Sequence, residues 1–260
     1  MKKKYIGVFD SGIGGLTVVK HLIEKLPDEN IVFLADTKNM PYGSKTRKQI
    51  IEYSLNNLNI LSRYDLKALL IACNTSDSAA RKTLQKRTSV PVLGVIDAAA
   101  RKACSLTKNG KIGVIATDAT VSSGRYEKFI HSIDDSISVY SLACPELAPM
   151  IEAGRSADDP HMENILKNYL KQLKEKQIDT IILGCTHYDV LKEKTEELLP
   201  EVHTVSSSVC AIDDLKELLE KQDLLNDDHD PERICLVTDD PERFKKTASA
   251  ILDEIEISIV

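Results

Sequence analysis

No two of the six cysteines (Cys73, Cys104, Cys144, Cys185, Cys210 and Cys235) stand close enough in the chain to form a C-x-x-C pair. That absence argues against a zinc knuckle or a dithiol redox motif. No stretch approaches the roughly 20 apolar residues that a membrane span needs. The apolar run after the basic start Lys2-Lys3-Lys4 is broken at Asp10, too early for the core of a signal peptide. The chain therefore reads as cytosolic, with its thiols reduced. Basic residues are not in excess either: 34 Lys and Arg stand against 40 Asp and Glu, a net charge of −6. A large non-specific footprint on nucleic acid is thereby excluded. No low-complexity segment or linker interrupts the sequence, and the acidic stretch at 227–230 reads as a solvated loop.

What is present is the composition of a soluble globular protein, 42% hydrophobic and 28% charged over 260 residues. That length is enough for one large or two small domains. Apolar runs predict strands over 4–9, 30–35, 68–72, 90–96, 111–117, 138–144, 179–185, 202–205 and 234–238. Helical patterns stand between them, among others over 17–26 up to Pro27, over 46–64 and over 212–221, with a last helix after 238. Strands alternating with helices predict an α/β fold with mainly parallel sheets.

The pattern also repeats. Ile6-Gly7-Val8 returns as Ile112-Gly113-Val114, 106 residues on, and Cys73 returns as Cys185, 112 residues on. Two similar, pseudo-symmetric α/β domains follow, with a site in the cleft between them. The first takes residues 1–97 together with 209–260, since the tail has no counterpart and packs back on the first half. The second takes 98–208.

In parallel α/β sheets ligands bind at the carboxyl ends of the strands. The polar residues expected there are Asp10 and Ser11; Asp36 with Pro41, Tyr42 and Gly43; Cys73, Asn74 and Thr75; Thr117 and Thr120; Glu152; and Cys185, Thr186 and His187. Cys73 and Cys185 each end a buried, β-favouring run, which would bring two thiols to one ligand. The set is short of cations. Hydroxyls, Asn74 and backbone N–H groups at helix N-termini would have to hold a carboxylate, and hydroxyls and carboxylates an ammonium group. Gly12-Ile13-Gly14-Gly15 lacks the spacing of a dinucleotide loop, so no nucleotide is expected.

Taken in order, Val8-Phe9-Asp10-Ser11-Gly12-Ile13-Gly14-Gly15, Ala35-Asp36-Thr37 with Pro41-Tyr42-Gly43, Ala72-Cys73-Asn74-Thr75, Ala119-Thr120-Val121 and Leu183-Gly184-Cys185-Thr186-His187-Tyr188 resemble the glutamate racemases, within the cofactor-independent aspartate/glutamate racemase superfamily. The resemblance spans nearly the whole chain. It implies interconversion of L- and D-glutamate without pyridoxal phosphate, metal or nucleotide, for bacterial cell-wall synthesis, by a homodimeric cytoplasmic enzyme. One cysteine thiolate removes the α-proton and the other cysteine returns one to the opposite face. Cys73 is implied to act on D-glutamate and Cys185 on L-glutamate, with Asp10, Glu152 and His187 as auxiliary groups. Ser11, Pro41, Tyr42, Gly43, Asn74, Thr75, Thr117, Thr120 and Thr186 are implied to bind the substrate.

The chain departs from the family pattern at Glu146 and Asp189, where apolar residues or proline are usual. It departs again at Ser206-Ser207-Ser208, where an acidic residue followed by a small one is expected. The alternatives are an aspartate racemase, differing by one methylene in its substrate, and a non-catalytic amino-acid-binding module. A one-thiol decarboxylase of the same superfamily would need only one of the two cysteines.

Overall fold

The computed structural model describes residues 3–227, 230–248, 251 and 258–259. Lys2 of the basic start, and Asp228 and His229 of the acidic loop, lie outside them. One sheet holds β1 (Tyr5–Asp10), β2 (Asn30–Ala35), β3 (Leu66–Ile71), β4 (Val92–Gly94), β9 (Arg233–Val237) and β10 (Ser258–Ile259), in the order β10-β9-β2-β1-β3-β4. The other holds β5 (Lys111–Ala116), β6 (Ser138–Ala143), β7 (Thr180–Gly184) and β8 (His203–Ser206), in the order β6-β5-β7-β8. Every strand pair is parallel. Without β9 and β10 the two orders are the same, so the repeat in the sequence is a repeat of topology.

Strands buried on both faces explain the unbroken apolar runs. In β1 and β2, Ile6, Val8, Ile31 and Phe33 face one core, while Tyr5, Phe9, Val32 and Leu34 face another. The second core is closed by Leu58 and Leu61 of α2 (Arg47–Leu61) and by Ala80 and Leu84 of α3 (Asn74–Gln85). The outer face of the second sheet, with Ile115, Ile181 and Leu183, packs on Leu147 and Ile151 of α7 (Leu147–Glu152) and on Met162, Leu166 and Leu170 of α8 (Pro160–Lys174). The inner faces of both sheets share one continuous core. It is filled mainly by α1 (Gly15–Lys25), α4 (Val95–Leu106) and α10 (Ser207–Lys221), with Tyr126 and Ile130 of the helix 125–133 and Phe244 at its edges.

Several expected boundaries move. The run 90–96 yields only the short β4, because Val95 and Ile96 open α4; Asp77 of α3 caps that helix by accepting the Ile96 N–H at 2.8 Å. The helix expected from 212 begins at Ser207, since the Ser206 hydroxyl accepts the Val209 N–H at 3.3 Å. Thr46 and Gln49 form a reciprocal capping box that starts α2 at Arg47, and the helix stops at Leu61 rather than 64. The two-residue β10 has no counterpart among the expected strands. The remaining helices are α5 (Asp118–Ser123), α6 (Arg125–Ile133), α9 (Lys192–Leu198) and α11 (Pro241–Ala248).

Candidate active site

The strand order sets β1 beside β3 in one sheet and β5 beside β7 in the other, and polar residues that end or follow these strands meet across the two halves. Asp10 closes β1 fully buried. Its Oδ1 accepts the Gly12 N–H at 2.9 Å, and its Oδ2 accepts the Thr186 hydroxyl of the other half at 3.2 Å. Burial pushes its pKa up, against the pull of His187, the Gly12 N–H and the Thr186 hydroxyl.

Cys73 follows β3 at the head of α3. It is 5% exposed, and its Sγ lies 3.7 Å from Ser11 Oγ. Burial, with the charge of Asp10, pushes the thiol up to about 12, although the Ser76 N–H and the Ser11 hydroxyl act the other way. Asp10 makes no hydrogen bond to this thiol; its influence on Cys73 is through charge, and favours the protonated form.

Cys185 follows β7 and is 6% exposed, but its partner is an imidazole: His187 Nδ1 stands 3.6 Å from Sγ. The ring's Nε2 lies 2.6 Å from Glu152 Oε1, at the end of α7. Glu152 Oε1 also accepts the Ile13 N–H at 3.2 Å. Burial pulls the imidazole pKa down; Cys185 and Glu152 on either side overcome this and hold it well above its ordinary value.

Beyond Cys73 a cluster of hydroxyls joins both halves: Thr75 and Thr117 at 2.9 Å, Thr117 and Thr120 at 3.0 Å, and Thr75 and Thr120 at 3.3 Å. Gly43 sits against Thr117, where a Cβ would come within 2.9 Å of the Thr117 Cβ. Other residues expected to bind substrate are held by protein partners. The Tyr42 hydroxyl donates to Asp36 and accepts from Asn57 at 3.2 Å. The Asn74 amide donates to Ser207 at 3.2 Å and accepts from Tyr126 at 2.7 Å. Pro41 is exposed at the surface. Of the positions that read in the sequence as departures from the resembled pattern, Glu146 is exposed and bonded by the Tyr169 hydroxyl, while Asp189 lies beside Thr17.

Three features had no clear signal in the sequence. Gly12 and Gly14 are where they are for room: a Cβ at Gly12 would lie 2.3 Å from Glu152 Oε1, and one at Gly14 2.5 Å from His187 Nδ1. Asn57, Tyr126 and Ser207 act as supports, recognisable only once the fold brings them in. Cations also stand near the site after all. A cleft of about 850 Å³, lined by Gly43, Ile50 and Ala119, carries Lys45, Arg47, Lys82 and Lys128, and Ile50 packs in turn with Tyr42 and Cys73. They come from helices and their flanks, not strand ends.

Among the described residues, no group of three His, Cys, Asp or Glu side chains is placed to hold a metal ion, and no helix is long and apolar enough to cross a membrane. What the geometry offers is two buried thiols at equivalent positions in two equivalent sheets. One is paired with an imidazole and the other with a hydroxyl.

The sequence model of the Asp/Glu/Hydantoin racemases matches residues 6–215. The chain belongs to that family. Among its relatives, the glutamate racemase of Thermoanaerobacter pseudethanolicus is 42% identical over 255 residues, which cover 98% of this chain and 95% of that one. Among solved members, glutamate racemase isoform RacE1 from Bacillus anthracis superposes with a TM-score of 0.95 at 37% identity, covering 100% of this chain and 98% of that one. Glutamate racemase from Francisella tularensis in complex with D-glutamate gives 0.92 at 37% identity, with the same coverage. The two-sheet α/β architecture is thus that of the family.

Proposed function

We propose that the chain interconverts L- and D-glutamate by two-base proton transfer at the α-carbon. The observation that carries this reading is the pair Cys73 and Cys185 at the ends of the equivalent strands β3 and β7, in unlike protonation environments. Near-full-length relatives named glutamate racemase support glutamate as the substrate over aspartate.

The chemistry follows from the two environments. His187, its pKa held well above the ordinary value, stands as an imidazolium beside the Cys185 sulfur, so Cys185 is placed to act as the base and Glu152 steadies the ring. Cys73, held as a thiol, rests as the acid. Cys185 takes the α-proton of L-glutamate on one face, and Cys73 delivers its own proton to the other, giving D-glutamate. From D-glutamate the roles reverse, which requires Cys73 to give up its proton first. A single base would return its proton to the face it came from. The Thr75, Thr117 and Thr120 hydroxyls and the N–H groups at the head of α3 offer donors to the α-carboxylate, and Asp10 offers a negative charge near the ammonium group. Ser11 and Thr186 orient Cys73 and Asp10.

A homodimeric assembly, a cytoplasmic location and supply of D-glutamate for peptidoglycan complete the proposal, and these rest on the family resemblance.

The test is proton exchange. In D₂O the protein is expected to place deuterium at the α-carbon while the circular dichroism of L-glutamate decays, and L-aspartate is expected to turn over far more slowly. Cys73→Ala and Cys185→Ala should each lower racemisation by about 10²–10⁴-fold or more. Turnover of aspartate alone would refute the substrate, and full activity in Cys185→Ala would refute the two-base route. Tight glutamate binding without any exchange would make the chain a binding module.

A further inference from the structure

The 3-10 helix Thr186–Leu191, which carries Thr186 and His187, also carries Asp189, a carboxylate that the proposed reaction does not use. Two other elements come up to it. From α1, Thr17 Oγ1 reaches Asp189 Oδ2 at 3.4 Å. Ser206 and Ser208, at the head of α10, lie close enough to act on its charge. Burial pushes the carboxyl up, and Ser208, Ser206, His21 and Thr17 draw it back. Even so, Asp189 Oδ1 and Ser208 Oγ are buried with no hydrogen-bond partner among the described residues. The Thr17 hydroxyl has one proton, and its nearest acceptor is the Gly14 carbonyl at 2.8 Å. Little of that donor is left for Asp189, or for the Thr186 carbonyl, also at 3.4 Å. A buried carboxylate served this weakly is costly to keep.

Its neighbours explain why such a group would be kept. Gly14, whose carbonyl Thr17 holds, lies directly against the His187 ring. Thr186 bonds Asp10. Ser207, between the two serines near Asp189, accepts from Asn74. Asp189 therefore stands where α1, α10 and the Cys185 segment are fixed relative to one another. Positions 189 and 206–208, which read in the sequence as departures from the resembled pattern, come near one another here.

We propose that Asp189 is a positioning residue: its carboxylate, buried between α1 and the head of α10, sets the 186–191 segment against them through its charge and packing, and so sets His187 and Thr186 relative to Cys185 and Asp10. What the site requires is one carboxylate at this spot, whichever of its two sides supplies it. Ser206 is the other side, and aspartate caps a helix as well as serine does, so an acid at 206 keeps the start of α10. The kinetic role rests on the racemase reading above; the requirement for one carboxylate does not.

The experiment exchanges the two positions in the full chain, comparing Asp189→Asn, Ser206→Asp and the double variant by thermal melting and by racemisation from each enantiomer. Asp189→Asn is expected to lower kcat about tenfold with little change in KM. Ser206→Asp alone crowds two carboxylates into one buried spot and is expected to lower both melting temperature and activity. The double variant, with one carboxylate again, is expected to exceed both singles on both measures. A double variant no better than the worse single overturns the proposal.

Forward and reverse kcat/KM must be equal for a racemase, so α-deuterium isotope effects separate positioning from general loosening. Asp189→Asn should raise the effect on kcat/KM for L-glutamate, whose proton goes to Cys185, and lower it for D-glutamate. Isotope effects that move together for both enantiomers would reduce Asp189 to a structural role and reject positioning. Should wild type fail to racemise glutamate, the function falls, while the melting cycle still decides the one-carboxylate requirement.

Discussion

Cys73 and Cys185 carry the same functional group, equally buried, into opposite surroundings. Burial, and then the charge of Asp10, push the pKa of Cys73 up to about 12. Cys185 instead faces an imidazole whose pKa is raised well above its ordinary value. Reactivity of a thiol follows its thiolate fraction. Brief treatment of the resting protein with iodoacetamide near pH 7.5 is expected to alkylate Cys185 at least about tenfold faster than Cys73, read residue by residue by mass spectrometry. Equal rates would remove the asymmetry on which the resting state of the mechanism depends. The thiols themselves were legible in the sequence, because a cysteine ending a β-favouring run in each half is a pattern of residue types. Gly12 and Gly14 were not, since their reason is the space taken by Glu152 and His187, which come from distant stretches of chain.

At the scale of the element, α4 shows how a start signal can lie outside the helix it serves. Its N-cap, Gly94, has no side chain, and a Cβ there would meet Asp77 Oδ1 at 2.1 Å. Asp77 reaches through that gap to accept the Ile96 N–H, with Arg81 beside it, Nε to Oδ1, at 3.4 Å. Burial raises the Asp77 carboxyl from 3.8 to about 6 in spite of Arg81 and that N–H. The folded state therefore holds a proton here that the unfolded state releases between about pH 4 and 6, and stability from this group falls as the pH rises through that window. Asp77→Asn, which keeps an acceptor for Ile96, is expected to flatten the difference in melting temperature between pH 4 and pH 6.5. A variant curve parallel to wild type would show that Asp77 does not titrate as described. The same remote cap explains why the run 90–96 was misread as one strand: Val95 and Ile96 favour strands by type, and the residue that makes them helical stands 19 positions away from Ile96.

Across the whole molecule, a buried ion pair fastens the tail to the first sheet. Lys67 of β3 bonds Glu29 with both side chains almost wholly buried. Lys67 Nζ also donates to the Leu224 carbonyl at 2.6 Å, and Glu29 Oε1 accepts the Asn226 N–H at 3.0 Å. Removing one partner of such a pair strands the other charge. Lys67→Met is expected to lower stability to urea by about 3–5 kcal/mol, with Lys67→Met/Glu29→Gln recovering much of the loss. A single variant as stable as wild type would show that the pair does not anchor the tail. We divide the chain into 1–97 with 209–260 and 98–208, but α4 and α10 cross between the sheets and make their inner faces one core.

The sequence by itself determined which residue types repeat and at what interval. From that came alternating strands and helices, two like halves and a cysteine at the same place in each, because periodicity and strand ends are local properties of the chain. Only the tertiary structure decided how those halves meet: that His187 is held by Glu152, that Asp10 bonds Thr186 rather than Cys73, and that β9 extends the first sheet beside β2. Those contacts join residues up to about two hundred positions apart. Burial and neighbouring charge, which set the protonation of Cys73 and of His187 beside Cys185, exist only once they have formed.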